Sequence, residues 1–225
     1  MKAILIPIKL FNRSKQRLAA HFSERARTAL AEAMCSDFFR VIAQVRGIDR
    51  VYIVSQEARA LDMARSLKWD INAETEQHSE SRSVDAASRY CQMLGVRSLL
   101  RLPMDLPLAQ AGDIEAIFAK VKEGPCAVLV PSRGSTGTNA LLRSPPTLFP
   151  SHFGPGSFAR HVRDATRAGA RVEILRLPRI ALDIDEIEDL HVLRHRLAGD
   201  SAVSRWLAQY LGEKITETSP SRLAG

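Results

Sequence analysis

The chain has 225 residues, of which 45% are hydrophobic and 25% charged, which is enough apolar material for the core of a globular protein. It contains no apolar run long enough to cross a bilayer, so no membrane association is expected. The net charge of +7 suits a polyanionic partner. However, the basic residues form no long run, and aromatic side chains do not alternate with them as in single-strand binders. Charge alone therefore leaves both small phosphorylated ligands and nucleic acid open.

The order of apolar and amphipathic segments predicts strands that alternate with helices, and hence an α/β fold with a mostly parallel sheet and helices on both faces. Apolar runs predict strands at 3–8, 50–55, 126–130, 172–177 and 180–185, with a short strand beginning at Ser98. Helical periodicity predicts helices at 23–46, 57–69, 84–94, 114–122 and 186–197, with Ser23 as the first N-cap and a further helix beginning at Ser157. Segments 73–83, 131–142 and 145–158 are predicted to be irregular.

We expect a single domain over residues 1–214 and a disordered tail over 215–225, because the final residues show no periodicity. The cysteines Cys35, Cys91 and Cys126 are far apart and form no CxxC pair, so neither a disulfide framework nor a zinc site is indicated. We expect all three to pack in the core of a protein that works in the reducing cytoplasm.

Four segments carry groups suited to chemistry, and each lies where a predicted strand ends. Functional groups of open α/β sheets gather beyond the carboxyl ends of the strands. After the first strand come Lys9, Arg13, Lys15 and Arg17, a density of cations that suits a triphosphate. The segment lacks the glycines of a Walker loop, and a solvated basic helix start is the alternative interpretation.

Asp105 lies between two prolines in LPMDLPL, at the tip of an apolar strand. A carboxylate fixed there suits Mg²⁺, which prefers carboxylates together with substrate phosphates. A turn aspartate that bonds its own backbone is the alternative.

Two loops, PSRGSTGTN (131–139) and FGPGS (153–157), offer backbone N–H groups and hydroxyls to an oxyanion, and Ser157 begins a helix whose dipole favours an anion. His161 follows as a candidate phosphate contact. In LDID, Asp183 and Asp185 alternate on a predicted strand, so both side chains would point to one face. Two carboxylates on one face repel each other unless a cation lies between them or solvent separates them. The acidic residues 186–189 are explained by the helix dipole alone, and His191 and His195 are predicted to lie on the surface.

Together, IPIK…SKQRL, LPMDLPL, SRGSTGTNALL, FGPGSF…H and LDID…DL resemble the guanylyltransferase family of coenzyme F420 biosynthesis. The resemblance spans residues 4–190. It implies a Rossmann-like mixed sheet, similar to nucleotidyltransferases related to type A glycosyltransferases. It also implies Mg²⁺-dependent transfer of GMP from GTP to phosphoenolpyruvate, 2-phospho-L-lactate or 3-phospho-D-glycerate, with release of pyrophosphate. A downstream transferase that takes up the product is expected as a partner, and a homodimer is a further expectation.

The resemblance and the chemistry of the four segments together assign roles to particular residues. Lys9 and Asp105 are predicted to be catalytic, and the predicted metal ligands are Asp105 with Asp183 or Asp185. The predicted nucleotide-binding residues are Lys9, Ser14, Lys15, Arg17 and Asp105. The predicted substrate-binding residues are Lys9, Arg133, Ser135, Thr138, Asn139, Gly154, Gly156 and Ser157. Arg133 and Ser135 depart from the family pattern as polar additions, which favours an acid with an extra hydroxyl such as 3-phosphoglycerate.

Two other functions remain open at this stage. A transferase of the same fold could use CTP with a sugar or alcohol phosphate, and nucleotide competition distinguishes it. A basic nucleic-acid-binding module would account for the charge but not for the carboxylates of Asp105, Asp183 and Asp185. Binding that weakens steeply with salt and ignores Mg²⁺ would identify it.

Overall fold

A computed structural model describes residues 1–73, 79–197 and 199–212. The predicted tail at 215–225 and part of the predicted irregular segment 73–83 lie outside these residues. Seven strands are present: β1 (Lys2–Ile8), β2 (Arg50–Ser55), β3 (Asp70–Ala73), β4 (Ser98–Arg101), β5 (Cys126–Pro131), β6 (Thr138–Ser144) and β7 (Arg171–Ile174). The α-helices are α1 (Glu24–Ile42), α2 (Ala58–Ser66), α3 (Glu80–Met93), α4 (Ala111–Phe118), α5 (Ser157–Arg167), α6 (Ile187–Arg194) and α7 (Ala202–Tyr210). Two short 3₁₀ helices, Phe11–Arg13 and Gln16–Ala20, follow β1.

The strands form one sheet in the order β3-β2-β1-β4-β6-β5-β7. All neighbouring pairs are parallel except the two that involve β6, which runs antiparallel to both β4 and β5. The carboxyl ends of β1, β4 and β5 therefore share an edge of the sheet with the amino end of β6. This edge carries the residues that follow β1 and β4 and those that begin β6. The predicted mixed, mostly parallel α/β fold is confirmed.

Helices cover both faces of the sheet, which explains why the central strands are apolar without alternation. In β1, Ile4 and Ile6 pack into a core cluster shared with α1, α2 and α4. Ala3 and Leu5 point to the other face, into a cluster that contains Val84 of α3. Strands of this kind are held in register by burial on both sides, so the loops at their ends have fixed starting points.

Helix α1 begins where its sequence predicts. Ser23 accepts a hydrogen bond from the backbone N–H of Ala26 at 3.3 Å, as an N-cap residue does. The helix ends at Ile42 rather than at the predicted Arg46. Among the described residues, no helix has the length and apolar character needed to span a bilayer.

Several elements differ from the sequence-based expectations, among them strand β3, which was not predicted. Residues 138–144, predicted as the end of a loop, form β6. The strand forms because β4 and β5 on either side provide backbone hydrogen-bond partners. The polar residues at both ends of TNALLRS give no local strand signal. Residues 180–185, predicted as a strand, pair with no strand. Their alternating burial comes from Ile180, Leu182 and Ile184 packing inward along an unpaired extended segment. Helix α7 was not predicted.

Helix α7 is held in place by long-range contacts. Asp37 of α1 accepts hydrogen bonds from the first N–H groups of α7, at 3.0 Å from Ala202 and 2.9 Å from Val203. The Trp206 indole N–H donates to the Ala26 carbonyl at 2.8 Å. These partners are far away in the sequence, which is why the local pattern did not reveal the helix.

The buried cysteines give a testable prediction. Cys35, Cys91 and Cys126 are free and buried, and burial raises the pKa of Cys35 and raises that of Cys91 to about 12. A thiolate is the reactive form, so a thiol reagent such as Ellman's reagent should label none of them in the native protein at pH 8 and all three in denaturant. Rapid labelling of any one cysteine in the native protein would contradict this packing.

Candidate active site

A cleft of about 320 Å³ opens at the carboxyl edge of the sheet. Its wall consists of residues from the segment 7–17 after β1, Glu80 and Ser83 of α3, Arg101 of β4, residues 103–105 and Asp185. The cleft thus brings together six of the predicted site residues from three separate segments, namely Lys9, Ser14, Lys15, Arg17, Asp105 and Asp185.

Lys15 is the centre of the cleft. Its side chain is only 4% exposed, and its ammonium donates to Asp105 Oδ2 at 2.5 Å and to the Ile184 carbonyl. Asp185 Oδ1 lies 3.5 Å from the same nitrogen. The backbone of Lys15 is in the left-handed region, with φ of 55°, between the two 3₁₀ helices. This is an uncommon conformation for a residue with a Cβ, and it turns the side chain back towards Asp105.

Electrostatics keep both members of this pair charged. Burial lowers the pKa of Lys15, but the charges of Asp105 and Asp185 outweigh burial and leave the pKa raised. Burial raises the pKa of Asp105, but the charge and hydrogen bond of Lys15, together with the charge of Arg101, leave it lowered. Asp183 shows the opposite result, since burial and the nearby charge of Asp105 raise its pKa. An added cation would therefore stabilise the charged form of the Asp183 carboxyl group.

Arg101 is a site residue that the sequence reasoning missed. It is 5% exposed, lies over the Phe153 ring at 3.9 Å, and forms an ion pair with Glu80. Burial lowers its pKa to about 10, although Asp105 and Asp183 act in the opposite direction. The sequence did contain a signal for this residue, namely an arginine inside the otherwise apolar strand sequence SLLRL. Arginine is rarely buried unless its charge is paired.

Lys9 and Arg17 lie at the rim of the cleft rather than inside it. The Lys9 side chain is 60% exposed, and its ammonium lies 3.9 Å from the Glu80 carboxylate. Arg17 is 61% exposed and reaches Asp185 at 3.6 Å and Glu186 at 3.4 Å. The Ser14 hydroxyl donates to the Leu10 carbonyl at 3.0 Å, inside its own turn.

A second cluster contains the predicted acid-binding residues of β6 and α5. The Thr138 hydroxyl lies 3.0 Å from His161 Nδ1 and accepts from the Ser157 hydroxyl at 3.3 Å. All three residues are buried, and none lines the cleft. His161 Nε2 accepts from the backbone N–H of His152 at 2.8 Å. Because both ring nitrogens are occupied, the predicted direct contact of His161 with a phosphate is wrong.

Arg101 and Asn139 join the two clusters. The Arg101 guanidinium donates to the carbonyls of Thr138 and Asn139 at 3.3 and 3.4 Å. The Asn139 amide donates to Asp183 at 3.1 Å and to the carbonyls of Ile180 and Ala181. Asn139 thus fixes the unpaired segment that carries Asp183, where the sequence predicted a strand.

The LDID prediction therefore needs correction. Asp183 and Asp185 do not share the face of a strand, since no strand forms there. Asp183 faces Asn139, whereas Asp185 faces Lys15 and Arg17. The acidic residues that follow have the structural role expected, because Asp189 accepts from the N–H groups of Asp185 and Glu186 at the start of α6.

The other predicted loop residues lie outside both clusters. Arg133 is 49% exposed and pairs with Asp189 at 3.0 Å. Ser135 is exposed and has a positive φ of 56° at the tip of the β5–β6 loop. Gly154 and Gly156 are exposed, with φ of 117° and 73°, a backbone shape that a residue with a Cβ rarely adopts. His191 and His195 are exposed, as predicted.

The carboxylates of Asp105 and Asp183 can be compared with the oxygen ligands that Mg²⁺ prefers. Asp105 Oδ1 is buried and has no hydrogen-bond partner among the described residues, and the Asp183 carboxyl lies close enough for their charges to interact. Oxygen donors of this kind suit Mg²⁺, which uses one or two carboxylates and takes its other ligands from water and substrate phosphates. Within residues 1–73, 79–197 and 199–212, no three His, Cys, Asp or Glu side chains form a complete cage. The residues thus fit a metal that is shared with a bound phosphate.

Comparison with solved structures shows the class of fold. A candidate nucleotide-diphospho-sugar transferase from Desulfovibrio desulfuricans G20 superposes with a TM-score of 0.76 at 15% identity, covering 94% of this chain and 95% of that one. A cytidylyltransferase from Leptospira borgpetersenii gives a TM-score of 0.55 at 13% identity, covering 100% and 99% of the two chains. The fold is that of the nucleotidyltransferases, as the sequence predicted.

The particular family follows from sequence. The model of the family described as "Guanylyl transferase CofC like" matches residues 1–223, and the chain belongs to this family. A phosphoenolpyruvate guanylyltransferase of Rubrobacter xylanophilus is 37% identical over 83% of this chain and 90% of its own length. A 2-phospho-L-lactate guanylyltransferase of Methanothermobacter thermautotrophicus is 28% identical over 97% of this chain and 93% of its own. The family resemblance read from the sequence is confirmed.

The different environments of Lys15 and Lys9 predict different effects on stability. Lys15→Met removes the cation that faces Asp105 and should lower the free energy of unfolding by about 2 kcal/mol, because a largely buried carboxylate loses its partner. Lys9→Met is the matched control and should change it by less than about 0.5 kcal/mol, since its ion pair is exposed. Urea unfolding of both variants measures the difference. Equal effects would show that Lys15 is not the central cation.

Proposed function

We propose that this protein transfers GMP from GTP to the phosphate of a small phosphorylated acid and releases pyrophosphate, as a step of coenzyme F420 biosynthesis. The candidate acids are phosphoenolpyruvate, 2-phospho-L-lactate and 3-phospho-D-glycerate. The observation that carries the proposal is the convergence of Lys15, Arg101 and Asp105 in one cleft of a chain from the CofC-like guanylyl transferase family. Its similarity to a phosphoenolpyruvate guanylyltransferase and to a 2-phospho-L-lactate guanylyltransferase supports the substrate class.

The proposed reaction requires that the two substrates be positioned and their charges neutralised, and it requires no general base. The phosphate of the acid is already anionic at neutral pH, and one of its oxygens attacks the α-phosphorus of GTP in line while pyrophosphate leaves. The main obstacle is repulsion between two polyanions. Oriented cations in a partly desolvated cleft reduce that repulsion without reorganising during the reaction.

The residues divide this work by position. In the proposal, Lys15, Ser14 and the rim cations Lys9 and Arg17 hold the triphosphate and neutralise the leaving pyrophosphate. Thr138, Ser157 and the exposed glycine loop at 154–156 hold the acid. Arg101 links the two sides, because it lines the cleft and also donates to the Thr138 carbonyl.

Mg²⁺ is part of the proposal. Asp105, with Asp183 or Asp185, would hold the ion, which would supply charge neutralisation between the two phosphate groups when bound. The unpaired Asp105 Oδ1 and the raised pKa of Asp183 support this assignment. Lys15 contacts the same carboxylates, so it contributes positive charge at the same position.

The cellular setting is proposed to be the reducing cytoplasm, which three free cysteines support. The product joins two phosphates in an anhydride, and we propose that a downstream transferase takes it up directly. The homodimer stays a prediction.

The proposal is tested by measuring pyrophosphate release with GTP, Mg²⁺ and each acid in turn, with CTP as the competing nucleotide. GTP with at least one of the three acids should support turnover, and CTP should not replace it. Asp105→Asn should reduce kcat at least a hundredfold, because it removes a charged ligand and the partner of Lys15. Asp62→Asn, which alters an exposed aspartate on α2, is the matched control and should have no effect. Turnover without a divalent cation, or an active Asp105→Asn enzyme, would overturn the metal assignment.

Discrimination between acids is predicted to depend on Ser135. All three acids share a phosphate and a carboxylate, so contacts from Thr138 and Ser157 would bind each of them without discriminating between them. A site that bonds a hydroxyl rejects analogues without one more strongly than an apolar pocket rejects a methyl group. Arg133 is paired with Asp189, whereas Ser135 is exposed at a loop tip. Ser135→Ala should therefore lower kcat/KM for 3-phosphoglycerate about tenfold and leave phosphoenolpyruvate within about twofold.

Arg133→Ala is the control for this prediction, and its effect on the ratio of the acids should be smaller. If Ser135→Ala changes all three acids equally, or if the wild type prefers phosphoenolpyruvate tenfold or more, Ser135 does not select a hydroxyl. The guanylyltransferase proposal would survive either result.

A further inference from the structure

We propose that His161 is a positioning residue that fixes the direction of the hydrogen bonds in the acid-binding cluster. Through His161, the hydroxyl of Thr138 presents its proton rather than a lone pair to an oxyanion of the substrate. The identity of that oxyanion rests on the proposed function, but the direction of the hydrogen bonds does not.

The protonation of His161 follows from its surroundings. The residue is fully buried on α5, beside the rings of Phe149 and Phe153 at 6.1 and 5.3 Å. Burial lowers its pKa to about 3, and the charges of Arg143, His152 and Arg101 act in the same direction, against Asp164. The imidazole is therefore neutral at physiological pH and carries one proton.

A backbone amide decides which nitrogen carries that proton. The N–H of His152 points at His161 Nε2 from 2.8 Å, so Nε2 must offer its lone pair. The single proton then lies on Nδ1 and is donated to Thr138 Oγ1 at 3.0 Å. A backbone N–H cannot reverse its role, which makes this the fixed end of the chain of hydrogen bonds.

The consequence appears at Thr138. Its oxygen accepts from His161 and also from Ser157 at 3.3 Å, which uses both lone pairs. Among the described residues, these are the two hydrogen bonds of Thr138 Oγ1, so its own proton is left to be donated elsewhere. A phosphate or carboxylate oxygen accepts and never donates, so it matches this arrangement.

The opposite tautomer would defeat binding. With the proton on Nε2, two donors would face each other at His152, and Thr138 would spend its proton on Nδ1. An incoming oxyanion would then meet lone pairs. His161 thus acts on the substrate through Thr138, without touching it.

The first arm of the test uses NMR of the wild-type protein with ¹⁵N-labelled histidine, assigned by loss of the signal in His161→Gln. The expected result is a neutral ring protonated at Nδ1 throughout pH 5.5–8.5. A ring protonated at Nε2, or one that titrates within this range, overturns the proposal without reference to any activity.

The second arm is a double-mutant cycle. His161→Phe and Thr138→Val should each raise the KM for the acid about tenfold, the cost of one hydrogen bond to a charged group, and leave the KM for GTP within about twofold. If His161 acts through Thr138, the double variant should resemble the single variants rather than reach about a hundredfold. Additive effects would overturn the proposal.

Two controls separate this role from a structural one. Thr138→Ser keeps the hydroxyl, and His161→Gln keeps both a donor and an acceptor, so each should recover most of the affinity that Val or Phe loses. If no acid is turned over by the wild type, the proposed function fails, and calorimetric binding of phosphoenolpyruvate to the same variants replaces KM in the cycle. Binding that ignores Thr138→Val would then overturn the inference.

Discussion

The site depends on the balance between three aspartates and the cations that hold them together. Asp105, Asp183 and Asp185 converge from two segments, and without compensation they would repel one another across the cleft. The Lys15 ammonium bridges Asp105 and Asp185, while the Arg101 guanidinium adds a second charge from β4. Even so, the pKa of Asp183 is raised, and one oxygen of Asp105 has no hydrogen-bond partner in the part of the chain that the structure describes. The protein therefore has an incomplete charge balance that a cation and a phosphate would complete together.

The sheet topology creates the conditions for this balance. Because β6 alone runs antiparallel to its neighbours, its first residues reach the edge where β1 and β4 end. Thr138 and Asn139 thereby come within hydrogen-bonding distance of Arg101, and Asn139 holds the segment of Asp183. One strand reversal thus connects the side of the cleft suited to a triphosphate with the loops suited to an acid.

The cluster of Thr138, Ser157 and His161 obeys a different constraint from the cleft. The cleft is governed by charge, whereas Thr138, Ser157 and His161 are neutral and buried. Their contribution is the direction of hydrogen bonds, set by the fixed backbone N–H of His152. The division has a physical reason, since charge brings polyanions together but cannot orient them, while directed donors define where each oxygen lies.

Local patterns were enough to predict the alternating α/β order, the buried strands β1, β2 and β5, the Ser23 cap and the family, because these depend on periodicity and on short motifs. They also identified Lys15 and Asp105 as members of one site. Long-range contacts were needed to learn that Lys15 lies inside the cleft while Lys9 lies at its rim, and that residues 138–144 form a strand while 180–185 do not. The place of Arg101 in the cleft and the hydrogen bonds of His161 were likewise visible only in the folded structure. Each of these depends on a partner elsewhere in the chain, such as His152 for His161 and Ile184 for Lys15, and local patterns carry no information about such partners.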